Sequence, residues 1–263
     1  IGDSRYPSVP TDCSGSAPTA EDTVASFGAN GILGIGPFAQ DCGSACEANI
    51  PEPIVYYACT AATTCTGTVV SLSAQVQNPV TMFATDNNGT IIVLPSVASA
   101  GAANVAGSLI FGIDTESNNA SGTQTVVPIS DSGYVTTVFD GQALDESFVD
   151  SGSNATYFND SGITQCPTSG SSSAGISDFY CPANPMTLTA AFVLADSSTV
   201  SANFEVVSAD SASDTVTAYP GLAGTNPTVS SFDWGLPFFY GRRVAYAIQG
   251  AATSVGTGPY IAY

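Results

Sequence analysis

The chain has 263 residues, a net charge of −19 and 44% apolar residues, which is enough apolar material for a folded core. It contains no lysine and no histidine. These absences exclude Ser-His-Asp and Cys-His nucleophile systems, histidine-containing zinc sites, P-loops and Schiff-base lysines. The negative charge disfavours binding to nucleic acid and to anionic membrane surfaces. What remains is chemistry by carboxylates, a metal bound by oxygen ligands, or no catalysis.

The sequence pattern over most of the chain predicts β-strands. Short runs rich in Val, Ile, Thr, Phe and Tyr alternate with clusters of Gly, Asn, Asp and Ser. One helix of two turns is predicted over residues 71–78, with Pro79 as its end. No apolar run approaches the roughly 18 residues that a membrane helix needs, so no membrane insertion is expected. The sequence therefore predicts an all-β protein. The predicted strands lie at residues 90–94, 108–111, 134–139, 191–194, 200–207 and 244–248.

The seven cysteines indicate an oxidising compartment. Their close spacing predicts three local disulfides, although spacing alone does not determine the pairing. Because the number is odd, at least one thiol is free or bonded to another chain, and Cys13 is the candidate. We expect a secreted or extracellular protein, with the periplasm as the other oxidising location. The closely spaced cysteines are Cys42 and Cys46, Cys59 and Cys65, and Cys166 and Cys181.

The tripeptide Asp-Ser-Gly occurs three times, and one copy differs from the other two. The copies that begin at Asp131 and Asp160 lie in polar surroundings and predict turns. Asp150 instead follows the apolar residues Phe148 and Val149, so a strand end would carry its carboxylate. Gly152 permits a tight turn after it, and neighbouring hydroxyls can donate hydrogen bonds to it.

The order of motifs around Asp150 resembles that of the pepsin-like aspartic peptidases, and in particular a secreted bacterial branch of uncharacterised function. The resemblance covers most of the chain. The segments that carry it are the apolar-apolar-Gly loop at residues 30–36, residues 80–84 and 107–114, Val127-Pro128 with Gly133-Tyr134, the Asp-Ser-Gly-Ser loop at 150–153, and residues 234–239 with Arg242 and Val244.

This resemblance implies a bilobal all-β architecture in which most of the first lobe is missing from this chain. Residues 1–115 would be the remainder of the amino-terminal lobe with the inter-lobe sheet, and residues 116–263 would be the carboxyl-terminal lobe. Asp150 would be one of two catalytic aspartates that share a proton, and Ser151, Gly152 and Ser153 would orient it. That chemistry requires no cofactor and no metal.

The resemblance also implies partners. The second catalytic aspartate would come from an upstream segment or a separate, proteolytically processed chain, bonded through the odd cysteine. The substrate would be an extended peptide, cleaved at acid pH. The sequence departs from the family pattern at two places. Asp233 occupies an expected apolar position before Trp234-Gly235, and Asn154-Ala155 replace a hydroxyl and a bulky apolar residue.

Two alternatives to this function stay open. The first is a catalytically silent, secreted β-rich protein with a structural, adhesive or assembly-forming role, because proteins of one fold can differ in activity. The second pairs two copies of the chain through Asp150. An upstream Asp-Thr/Ser-Gly after an apolar strand would favour the peptidase over the first alternative.

Overall fold

The computed structural model describes residues 10, 23–51, 54–61, 63–121, 124–167, 176–212 and 215–263. It is predominantly β, with 35% strand and 10% helix, which confirms the all-β prediction. The chain falls into two compact units, Ile1–Met82 and Phe83–Tyr263. No helix among the described residues is long and apolar enough to cross a bilayer.

The first unit is held together by short elements and disulfides. The disulfide between Cys59 and Cys65 joins residues that face each other across an antiparallel hairpin, and a second disulfide joins Cys42 to Cys46. The elements are helices α1 (Val24–Phe27) and α2 (Ser44–Ala48), strands β1 (Tyr57–Ala61) and β2 (Thr64–Gly67), and 3-10 helices at Leu72–Ala74 and Pro79–Met82.

The prediction of a helix over residues 71–78 is wrong. Only a single 3-10 turn forms, and the backbone is extended at Gln75. The buried Gln75 side chain donates hydrogen bonds to the carbonyls of Gly43 and Val70 and accepts one from the Gly43 N–H. These long-range bonds replace the helical pattern, and a two-turn helix is too short to compete on its own.

The second unit is built from fourteen strands and one α-helix among its described residues. They are β3 (Gly89–Val93), β4 (Ser108–Phe111), β5 (Val126–Pro128), β6 (Val135–Phe139), β7 (Gln142–Val149), β8 (Thr156–Tyr157), β9 (Met186–Val193), β10 (Thr199–Val206), β11 (Ala223–Gly224), β12 (Asp233–Trp234), α3 (Leu236–Phe239), β13 (Arg243–Ala247), β14 (Ala252–Thr253), β15 (Gly256–Thr257) and β16 (Tyr260–Ala262). Each of the six predicted strands overlaps an observed strand, although β9 begins five residues before the predicted 191–194.

Two larger sheets form the second unit. The first has the strand order β10-β9-β6-β7-β12-β8-β11 and is barrel-like, nearly closed. The second has the order β4-β3-β13-β16-β5. Most neighbouring strands are antiparallel, but β12 pairs in parallel with β7, and β11 pairs in parallel with β8. The parallel pair β7–β12 brings together segments that are far apart in the sequence.

The core of the second unit is aromatic. Trp234 is fully buried and packs against Phe192, Phe204, Phe232 and Phe238. The same cluster includes apolar side chains from both large sheets, so the sheets share one core. Burial of such rings dominates core energetics. The core therefore fixes the position of β12, whose other residue is Asp233.

The division of the chain into lobes at residue 115 stays a prediction. The five-stranded sheet pairs β3 and β4, from before that residue, with strands β13, β16 and β5 from after it. Residues 80–84, one of the segments that carry the resemblance, include the end of a 3-10 helix. In the 30–36 loop, Ile32 and Leu33 are exposed.

The three predicted disulfides are confirmed, since Cys166 bonds to Cys181 in addition to the two pairs of the first unit. Cys13 lies outside the described residues, so its predicted role as the free or interchain thiol stays open. Residues 168–175, between Cys166 and Cys181, lie outside the described residues.

Candidate active site

The candidate site lies where strand β7 ends beside strand β12. Asp233 pairs with Phe148, and Trp234 pairs with Val149. The parallel alignment continues past β7, because the Asp150 N–H donates a hydrogen bond to the Trp234 carbonyl at 3.1 Å. The buried end of β7 thus delivers Asp150 to the surface, where its side chain is exposed.

The Asp-Ser-Gly-Ser segment folds back on the Asp150 carboxylate. The Gly152 N–H donates to Asp150 Oδ1 at 2.8 Å, and the Ser153 hydroxyl donates to Asp150 Oδ2 at 3.4 Å. The Ser153 N–H closes the turn on the Asp150 carbonyl at 3.2 Å. These donors fix the orientation of the carboxylate. An added Cβ on Gly152 would lie 3.0 Å from Asp150 Oδ1, which makes glycine the residue that leaves room for the carboxylate.

The Asp233-Trp234-Gly235 segment packs directly on this turn. The Leu236 N–H donates to the Ser153 carbonyl at 2.7 Å. A Cβ on Gly235 would lie 1.9 Å from the Ala155 carbonyl oxygen and 2.8 Å from that of Ser153. Only glycine permits so close an approach of two backbones. The two segments therefore pack against each other at the backbone level.

Asp233 brings a second carboxyl to the site. Its side chain is 5% exposed, and its Oδ1 atom has no hydrogen-bond partner. Burial raises the pKa of Asp233 to about 7, hydrogen bonding by the Ser153 side chain lowers it, and the charge of Asp150 raises it. At acid pH this carboxyl is protonated and carries no charge.

Two tyrosines border the pair of carboxyls. The buried Tyr246 hydroxyl donates to the Val149 carbonyl at 3.0 Å. Burial, followed by the charges of Asp150 and Asp233, raises the pKa of Tyr246 well above its usual value. The Tyr157 hydroxyl donates to Asn154 Oδ1 at 2.5 Å, and burial followed by the charge of Asp233 raises the pKa of Tyr157. Both phenols therefore stay neutral at ordinary pH.

All four residues predicted for the site, Asp150 and the supporting Ser151, Gly152 and Ser153, lie in this one turn. Ser151 is exposed and follows Asp150 directly.

The other two Asp-Ser-Gly copies are turns, as predicted. Gly162 donates to Asp160 Oδ1 at 2.8 Å, and Gly133 donates to the Ser130 carbonyl at 2.9 Å.

Sequence reasoning did not assign Asp233 or Tyr246 to the site. A signal for Asp233 was present, because an acid occupied an expected apolar position. Tyr246 lies within the predicted strand 244–248, and nothing local distinguished it from other core residues.

One group of possible metal ligands converges among the described residues. Cys166, Cys181 and Asp210 place a ligand atom each within 4.8 Å of one another. The two sulfurs are joined as a disulfide and are therefore not thiolate ligands. Exposed Asp150 and buried Asp233 remain the candidate groups for chemistry.

The fold and site define a predominantly β protein with an exposed aspartate turn that is hydrogen-bonded to a neighbouring parallel strand. The chain belongs to the family described as "Protein of unknown function (DUF3443)", whose model matches residues 1–263. No curated protein matches the chain.

Proposed function

We propose that the chain is the larger portion of a secreted, pepsin-like aspartic endopeptidase that cleaves extended peptides at acid pH. The observation that carries the proposal is the geometry of Asp150. An exposed carboxylate follows the buried end of strand β7, and Gly152 and Ser153 donate hydrogen bonds to it. A carboxylate fixed in this way is suited to act as a base on a water molecule.

In this mechanism Asp150 takes a proton from the water that attacks the peptide carbonyl. A second carboxyl that contacts the substrate donates a hydrogen bond to the carbonyl oxygen. We assign that second carboxyl to an upstream segment or chain, since Asp233 is too deeply buried to reach a substrate. Secretion is part of the proposal, and the three disulfides support it.

The test uses the complete protein and the substitution Asp150→Asn, with a quenched fluorescent peptide library as substrate between pH 3 and 7. We expect a loss of activity of at least ~100-fold, the size typical of a removed acid–base group. Asp160→Asn is the matched control, because Asp160 accepts the same Gly N–H hydrogen bond at 2.8 Å in a turn with the same three residues. Full activity in Asp150→Asn, or equal losses in both variants, would refute the assignment.

The upstream partner has its own test. Native mass spectrometry before and after reduction should show a second chain that is released with the disulfides and carries an aspartate loop, or a longer single chain with that loop upstream. If neither is found, Asp150 lacks the partner that this mechanism requires. The structural or adhesive reading would then replace the peptidase.

A further inference from the structure

A groove opens at the edge of the five-stranded sheet in the second unit. It has a volume of about 380 Å³ and lies between strand β5, the turn of the β9–β10 hairpin and the β14–β15 hairpin. This volume lies in the range of known ligand sites. No residue that lines it belongs to the turn at 150–153. The lining includes Val126, Pro128, Leu194, Asp196, Val255 and Tyr260.

Strand β5 leaves backbone hydrogen-bonding groups unused along this groove. Thr125 exchanges two backbone hydrogen bonds with Tyr263, at 3.0 and 3.1 Å. In an antiparallel pair, such residues alternate with residues whose N–H and carbonyl groups point to the other side. Val127 therefore faces β16, whereas Val126 and Pro128 face outward. No strand in the described part of the chain pairs with that outer side of β5.

The unused groups specify the backbone of a ligand. A peptide residue placed opposite Val126 can donate its N–H to the Val126 carbonyl and accept a hydrogen bond from the Val126 N–H. The Pro128 carbonyl can accept one further N–H, from the residue two positions along the peptide. Because proline has no N–H, the pairing ends there. The edge therefore fits a short extended segment of about three to five residues.

Most of the groove surface is apolar. Leu194, Val255 and Tyr260 contribute side chains to it, and 39% of Val255 is exposed. Apolar surface beside an open strand edge favours association with another chain. Apolar side chains of an extended peptide would remove this surface from water, which is favourable.

Asp196 provides a negative charge in the groove. Its Oδ1 atom accepts hydrogen bonds from the Ser198 N–H at 3.0 Å and from the Ser198 hydroxyl at 2.5 Å, and these bonds hold the carboxylate in the hairpin turn. The two arginines in the described part of the chain are engaged elsewhere, because Arg242 and Arg243 donate to backbone carbonyls. A basic side chain of a ligand would therefore complement Asp196 and the net charge of −19.

We propose that this groove binds an extended, basic peptide segment of another protein. The segment pairs with the edge of β5, places apolar side chains in the groove and directs a lysine or arginine to Asp196. A second copy of this chain does not fit, since copies with a net charge of −19 repel each other and the chain contains no lysine. The proposal does not depend on peptidase activity at Asp150.

The test uses the full chain and three synthetic peptides, acetylated and amidated at their ends. The probe is Thr-Val-Lys-Val-Thr. The second peptide has glutamate in place of lysine, and the third is the probe with both valines N-methylated, so that neither can donate to β5. Isothermal titration calorimetry should show saturable binding of the probe. The glutamate peptide should bind at least ~5-fold more weakly, and the N-methylated peptide at least ~10-fold more weakly.

Amide hydrogen exchange measured by NMR locates the bound peptide. The probe should slow exchange of the Val126 N–H and leave the exchange of the Val127 N–H, which already faces β16, unchanged. Asp196→Asn should weaken binding of the probe about 3-fold. Asp140→Asn is the matched control and should leave binding unchanged, because Asp140 is an exposed acid in the β6–β7 hairpin turn and does not line the groove.

The proposal is refuted if the probe does not bind saturably, if the N-methylated peptide binds as tightly as the probe, or if the Val126 N–H gains no protection. Equal effects of Asp196→Asn and Asp140→Asn would refute the role of Asp196. Protection of Val126 that increases with protein concentration in the absence of peptide would identify a second copy as the occupant, and would overturn the proposal.

Discussion

The Asp150 N–H donates a hydrogen bond to the Trp234 carbonyl oxygen at 3.1 Å. This bond extends the parallel pairing of β7 and β12 by one residue beyond the end of β7. It joins the exposed aspartate turn to a fully buried aromatic residue of the core. The position of the candidate catalytic carboxylate is therefore set by core packing as well as by its own turn.

Replacement of Gly235 by alanine should disrupt this arrangement. The new Cβ would lie 1.9 Å from the Ala155 carbonyl oxygen, so the two segments must separate. We expect a loss of about 3 kcal/mol or more in the free energy of unfolding, at the upper end of overpacking effects. Urea denaturation followed by the fluorescence of Trp234, the single tryptophan, measures it.

The matched control for this change is Gly34→Ala, since a Cβ at Gly34 meets no atom within 4 Å. That variant should unfold within ~1 kcal/mol of the wild-type protein, because alanine mainly restricts the unfolded chain. Equal stabilities of the two variants would mean that the close approach at Gly235 is not required.

Thr137 should stabilise the site through Trp234. The Trp234 indole Nε1 donates to the Thr137 hydroxyl at 2.9 Å, and both groups are buried. Thr137→Val keeps the shape and leaves the indole N–H without an acceptor, which costs about 1 to 3 kcal/mol. The neighbouring substitution Thr136→Val, at a partly buried position on the same strand, should cost less than ~0.5 kcal/mol. Urea titrations of both variants measure the difference, and similar costs would contradict the role of the hydrogen bond.

The Asp150 turn was predictable because its signals are local. An apolar strand end, a glycine two residues after the acid and nearby hydroxyls all lie within six residues of sequence, and the disulfides likewise join close neighbours. The strands were predictable from β-branched and aromatic runs. The helix predicted over residues 71–78 does not form because Gln75 is hydrogen-bonded to the distant residue Gly43. A local sequence pattern contains no information about such a bond.

The partnership of Asp150 and Asp233 was not predictable in this way. It depends on a parallel pairing of β7 with β12, and nothing in the sequence of either strand identifies the strand with which it pairs. The acid at position 233 indicated only that a core position was polar. The structure supplies the reason, because the two sides of β12 place Trp234 in the core and Asp233 beside Ser153 and Asp150.

The stability of the folded chain should depend on pH through Asp233. In the unfolded chain Asp233 has the ordinary aspartate pKa of 3.8, and in the folded chain its pKa is about 7. Between these values the folded chain binds more protons than the unfolded chain, so the free energy of unfolding falls as the pH rises. The loss from Asp233 is complete above pH 7 and amounts to about 2 to 4 kcal/mol.

The wild-type protein should therefore lose stability relative to Asp233→Asn from pH 4 to pH 8, as measured by urea midpoints. Because the chain carries a net charge of −19, general repulsion also grows with pH, and Asp160→Asn corrects for the removal of one charge. Parallel stability curves for the wild-type protein and Asp233→Asn would show that Asp233 is ionised in the folded state at acid pH.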